Sequence, residues 1–315
     1  MKPNTEDFNA LVGRVMASGS LAQMRPVVEK ELLHYDILYC LDQANLLDEL
    51  VFQGGTALRL CYGANRYSED LDFLGGPAFA AEQLSAMKTV LEDYLGSRYA
   101  LEVHVKEPKR LHEGRQVKET HKEKTVDTWQ LSVITAPAQR DVPQQRIKIE
   151  VARISAYTKQ PLALQRNYDA LPDFYQNTFI YTETLDEIMA DKLIALPASE
   201  KHIRYRDIWD LAWLYQQGAR VEHAMVKHKI KDYALDHVYR ECLQKRVLSL
   251  PDLINGQRFL SEMRRFIPMD IFERTLAQAK FTMYLEQIVT SLLQSVQKSL
   301  DTDEANPTLE PPFRL

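Results

Sequence analysis

Cysteines are few, long apolar runs are missing and positive charge is not in excess; each lack removes a class of function. Cys40, Cys61 and Cys242 lie far apart without CxxC spacing, which argues against a zinc site or a disulfide framework and for a reducing compartment. No stretch approaches the roughly 20 apolar residues of a membrane span. The opening MKPNTEDFNALVGRV is broken by acids and holds no apolar run of signal-peptide length, so a cytoplasmic protein with no membrane association is expected. A net charge of −5 and a pI near 6.0 speak against a surface that binds nucleic acid all over. They leave room for a local basic groove, because a phosphate feels the field only within about 10 Å at moderate salt. No internal repeat is visible.

What is present is an ordinary globular composition, 45% hydrophobic and 26% charged over 315 residues, long enough for two domains. Residues 5–47 read as helices, with Leu32, Leu33, Ile37, Leu38 and Leu41 at a helical period and Glu29, Glu31 and Asp36 at the polar positions. A short apolar run ends at Gly54-Gly55. Thr56 can cap a following helix that Gly63 stops, and Asp70–Leu74 reads as a second short strand. A helix over 79–95 and strands over 99–105, 126–135 and 145–154 complete a sheet of four or five strands. The charge-dense stretch 106–124, with Lys106, Lys109, Arg110, Arg115, Lys118, Lys122 and Lys124, reads as a solvated hairpin or loop, with a grip on RNA as the functional alternative. From Leu185 the pattern is helical through 185–196, 204–216, 222–247 and 257–298. The expected fold is α+β: a mixed sheet with flanking helices over 1–160, a mostly α-helical domain over 161–300, and an irregular tail from 301 to 315.

The chemistry concentrates in VFQGGTALRLCYGANRYSEDLDFLGG, residues 51–76. Asp70 and Asp72 are two apart on a strand, so both carboxylates leave one face, and their repulsion is relieved by a divalent cation. Such a pair also occurs at solvated strand ends and in metal-dependent glycosyltransferases. Gly54, Gly55 and Thr56 precede it at a helix start, where close backbone amides and the dipole favour an anion; Thr56 as a plain cap is compatible with phosphate contact. Arg66 and Ser68 fall near the same edge. Glu150, on the polar face of Ile147-Lys148-Ile149-Glu150-Val151, is the candidate third carboxylate, although alternation alone would also put an exposed glutamate there. Two cations so held would activate a hydroxyl and stabilise a leaving pyrophosphate. Lys192 interrupts the apolar stripe of LDEIMADKLIALP and must snorkel outward or meet negative charge, from a triphosphate, from Asp207 as a structural ion pair, or from both. Asp207 and Asp210 lie on an apolar helix face in RYRDIWDLAWL, where pairing with Arg204 or Arg206 is the structural alternative.

With GGTALR, RYSEDLDF, IKIEV, ADKLIAL and RDIWDL in that order, the chain resembles the AbiEii/AbiGii-type toxin nucleotidyltransferases, the MenT-like group of the DNA polymerase β-like superfamily. The resemblance covers Leu32 to Leu214. It implies that Gly54, Gly55, Thr56 and Ser68 bind nucleotide phosphates, that Asp70, Asp72 and Glu150 hold Mg²⁺ or Mn²⁺, that Lys192 contacts the triphosphate of the NTP, and that Asp207 belongs to the family's last motif. It further implies a toxin with an antitoxin encoded nearby, acting on the 3′ end of tRNA or on another RNA. Two other readings stand beside it: transfer to a protein hydroxyl, and a nucleotide-binding interaction module without transferase activity.

Overall fold

Alternation of buried and solvent-facing side chains builds the sheet. In β4 (Val126–Ile134) Trp129, Leu131 and Val133 are fully buried, and in β5 (Gln145–Ala152) Ile147, Ile149 and Val151 match them. The intervening polar residues line the opposite face. This geometry comes from a computed structural model that describes residues 6–17, 21, 23–111, 126–136 and 144–305. The chain forms two compact units, Met1–Thr184 with Arg264–Ile271, and Leu185–Met263 with Phe272–Leu315.

The first unit opens with α1 (Phe8–Met16) and α2 (Arg25–Gln43); Pro26 sits in the first turn of α2, where its missing N–H costs nothing. Then come β1 (Val51–Gln53), α3 (Gly54–Tyr62), β2 (Leu71–Leu74), α4 (Met87–Tyr99) and β3 (Glu102–Lys106). After β4 and β5, β6 (Gln160–Ala163) and β7 (Phe179–Thr182) complete the strands. The sheet has seven strands in the order β3-β4-β5-β2-β1-β7-β6. β2 pairs antiparallel with β1 and parallel with β5, and β1 pairs parallel with β7, so the sheet is mixed. Two more strands are present than the apolar pattern predicts. They lengthen the first unit, because β7 hydrogen-bonds to β1 and β6 to β7, and the boundary falls after Thr184 rather than near residue 160. Pro161 is tolerated because β6 is an edge strand.

The expected polar positions of α2 are not solvated: Glu29, Glu31 and Asp36 are all buried. Each has partners far along the chain. Asp36 accepts from the hydroxyls of Tyr99 and Tyr175, both at 2.6 Å, and faces Arg98 at 3.1 Å. Glu31 takes a two-pronged contact from Arg59 at 2.9 and 3.1 Å, which ties α2 to α3. Buried acids survive only with such partners. The free thiols Cys40 and Cys61 are buried as small hydrophobes.

The remaining elements are helical: α5 (Leu185–Ala198), α6 (Tyr205–Gln216), α7 (His223–Asp232), α8 (Tyr239–Ile254), α9 (Gln257–Arg264), α10 (Met269–Arg274) and α11 (Ala279–Ala305). In the second unit α5 packs on α6, α7 and α8, and α11 runs against α8 and α6. The segment expected as one helix over 222–247 is two, because Ala234 adopts a left-handed φ of 54° that ends the first. That over 257–298 is three, with Pro268 preceding α10. α11 continues through the start of the expected tail, whose residues 306–315 lie outside those described, as do 112–124 of the charge-dense stretch. Among the described residues no helix is long and apolar enough to cross a membrane.

Candidate active site

β2 is a central strand, and its carboxylates meet both neighbours. Asp72 faces Gln53 of β1 on one side and Glu150 of β5 on the other. Asp70 lies one residue before the strand, and its Oδ1 accepts the Lys148 N–H at 3.0 Å. Parity along β2 and β5 therefore puts Asp70, Asp72, Lys148 and Glu150 on one face of the sheet, opposite Leu71, Phe73, Ile149 and Val151 in the core. The three carboxylates are half-exposed, and Lys148 Nζ stands 3.9 Å from Glu150 Oε1. Among the described residues of this unit, no three carboxylate oxygens close within 4.8 Å of one another. The strands thus bring the acids to one face without gathering their oxygens around a point. An all-oxygen donor set suits a hard cation such as Mg²⁺, and half-exposed carboxylates can turn between rotamers to meet one.

On the β1 side, α3 begins directly at the glycine pair with Gln53 as its N-cap. Thr56 is not the cap expected from its position; its hydroxyl, buried, donates to the Asp70 carbonyl and fastens the first turn of α3 to the start of β2. Gly54 has φ +77° and backs onto the Asp72 carboxylate, while the Arg66 guanidinium lies against Gly55. Arg66 Nη1 also donates to the Tyr67 carbonyl at 2.8 Å, and both Arg66 and Ser68 are buried. Gly54, Gly55, Thr56, Arg66, Ser68, Asp70, Asp72 and Glu150, selected from sequence, are thus gathered around the start of β2.

Sequence reasoning missed His34. It is buried on α2, and its Nε2–H donates to the Glu69 carbonyl at 3.0 Å. Burial lowers its imidazole to about 4, outweighing that hydrogen bond and the charges of Glu31 and Asp70. A histidine on an otherwise apolar helix stretch was the available signal.

In the second unit Lys192 of α5 reaches Asp207 at 2.8 Å and Asp210 at 2.6 Å, both on α6. Arg204 adds a 2.6 Å contact to Asp207. Burial pushes the Asp207 carboxyl up, but Lys192 and Arg204 outweigh it and hold the group well below the usual carboxylate range. With Lys192 only 5% exposed and two carboxylates on its Nζ, the structural pairing weighed from sequence is present. A second buried cation, Lys229 of α7, lies 2.8 Å from both Glu187 and Asp191 of α5. No sequence expectation covered it.

The family model for the nucleotidyl transferase AbiEii toxin, Type IV TA system, matches residues 36–298. The MenT4 nucleotidyltransferase toxin of Mycobacterium tuberculosis has a similar fold, with a TM-score of 0.53 at 16% identity over 95% of each chain. JHP933 of Helicobacter pylori aligns over 90% of this chain and 98% of its own, at 16% identity and a TM-score of 0.41. No curated protein sequence matches the chain.

Proposed function

Since the chain belongs to the AbiEii family of nucleotidyltransferase toxins, we propose that it transfers a nucleoside monophosphate from an NTP to an RNA hydroxyl, with the 3′ end of tRNA as acceptor. The observation that carries this reading is the register that faces Asp72 with Glu150 across β2 and β5, with a glycine-opened helix on the other side of β2.

In this reading Asp70, Asp72 and Glu150 hold Mg²⁺ or Mn²⁺. When bound, the cation places positive charge at the attacking and leaving oxygens. Gly54 and Gly55 let the backbone approach the NTP phosphates, whose charge the start of α3 and Arg66 complement. Thr56 and Ser68 act by position: Thr56 locks α3 to Asp70, and Ser68 lies two residues before it. The Lys148 N–H holds the Asp70 carboxylate through Oδ1 and leaves its other oxygen for the cation. The chain supplies positioning and charge, the main requirements of phosphoryl-group chemistry. Lys192, Asp207 and Asp210 hold α5 on α6 and so shape the second unit. An antitoxin is the partner that family membership brings with it, and a cytoplasmic setting suits an RNA acceptor.

The test is incubation with Mg²⁺ and each α-radiolabelled NTP in the presence of total RNA and total protein, beside Asp70→Ala. Label on RNA, reduced at least about 100-fold in the variant, is the expected result. Label on protein transfers the reading to a protein hydroxyl. NTP binding without any transfer leaves an interaction module.

A further inference from the structure

A pocket of about 710 Å³ opens on the β5 side of the carboxylates, bounded by Arg25, Lys30, Glu69, Arg146 and Arg265. We infer that it is a binding subsite for a phosphodiester of the acceptor strand just ahead of its reacting end; this rests on the nucleotidyl-transfer reading above.

Placement is the first argument. The glycine-opened start of α3 lies on the β1 side of β2, and this pocket lies on the opposite, β5 side. In-line displacement keeps attacking and leaving oxygens on opposite sides of the transferred phosphorus. A pyrophosphate leaving toward α3 therefore requires an acceptor entering past β5. Arg146 precedes Lys148 by two strand residues, about 7 Å, and Lys148 N–H is the group bonded to Asp70.

Charge is the second argument. The pocket wall carries four cationic side chains, counting Arg25, Lys30, Arg146 and Arg265, against Glu29 and Glu69. Both acids are already engaged. Glu29, 2% exposed, accepts from Gln145 Nε2 at 2.7 Å, Arg25 Nε at 2.7 Å and Thr135 Oγ1 at 3.0 Å. Glu69 is held by Lys30 at 2.7 Å. Arg146 is exposed, and its side chain has no ion-pair or hydrogen-bond partner among the described residues. The other cations are held in place: Arg25 Nη2 donates to Asn9 at 2.6 Å, and Arg265 lies over the Phe266 ring at 5.1 Å. A wall of net positive charge, with Arg146 two strand residues from the Lys148 that bonds Asp70, fits a polyanion better than a neutral protein loop.

The experiment measures binding of a short fluorescent single-stranded RNA with a free 3′ hydroxyl to the full-length protein, without divalent cation, across a salt series. Arg146→Ala should weaken binding about 5-fold and flatten the log–log salt slope by about 0.7, the contribution of one phosphate on a single strand. Arg146→Glu should weaken it further and Arg146→Lys should restore the slope, with NTP affinity and melting midpoint unchanged in all three. An Arg146→Ala protein with wild-type RNA affinity and slope, or with an equal loss of NTP affinity, overturns the subsite. If the wild type labels RNA while Arg146→Ala binds it normally, the subsite alone falls. If the wild type labels protein and binds no RNA, the RNA reading falls with it.

Discussion

At Gly54 the backbone φ of +77° is open to glycine and strained for other residues, and a Cβ there would meet Asp72 Oδ2 at 3.0 Å. Gly54→Ala should cost about 1–2 kcal/mol of stability in urea unfolding and also displace the Asp72 carboxylate. Gly55 is different: its φ is ordinary, but a Cβ would lie 2.3 Å from Arg66 Nη2. Gly55→Ala must therefore push the guanidinium aside, and the expected outcome is weaker NTP binding by titration with little change in melting midpoint. The glycine pair was legible as a helix start before the aspartates, whereas its contact with Arg66 was not, because it depends on how residues 63–67 fold back over α3. His34 carries a pH signature. Its folded value of about 4 lies below the 6.5 of an exposed histidine, so its contribution to stability is complete above 6.5 and is lost as pH falls from 6.5 through 4. Summed over that window the loss is about 3 kcal/mol. His34→Gln should flatten the pH dependence of the urea midpoint in this window; an unchanged slope would mean that another group carries it.

Among the elements, α5 and α6 are joined by a buried cation between two acids, and the cost of breaking such a group is set by what remains. Lys192→Ala leaves Asp207 and Asp210 buried together with only Arg204 to compensate, and should destabilise the protein by about 3–5 kcal/mol in urea unfolding. A variant with wild-type stability and weakened NTP binding would instead return Lys192 to the nucleotide site. The sequence announced the anomaly, a lysine in an apolar stripe and two aspartates on an apolar face, because helical period exposes such misfits. It could not announce Glu29, Glu31 and Asp36, since acids on α2 look solvated until tyrosines and arginines from elsewhere are brought to them. β4 and β5 were readable because one face is apolar and the other polar. β6 and β7, four residues each, are too short for alternation to stand out, and Pro161 argued against the first.

For the molecule as a whole, the family match over residues 36–298 spans both compact units, so the ordered motifs were a better guide than any one of them. The carboxylate half of the site was legible because its residues sit within 25 positions plus one neighbouring strand. The acceptor pocket was not: Arg25, Lys30, Arg146 and Arg265 are scattered along the chain, and only folding sets them side by side. The parallel pairing of β2 with β5 also has a bearing on synthesis. The Asp70–Lys148 hydrogen bond spans 78 positions, so the carboxylate face is closed by a long loop and forms only after its distant strand exists. A nascent chain stalled before β5 carries Asp70 and Asp72 without Lys148 and Glu150 beside them. The three-carboxylate face is therefore complete only in chains that have been made past Glu150.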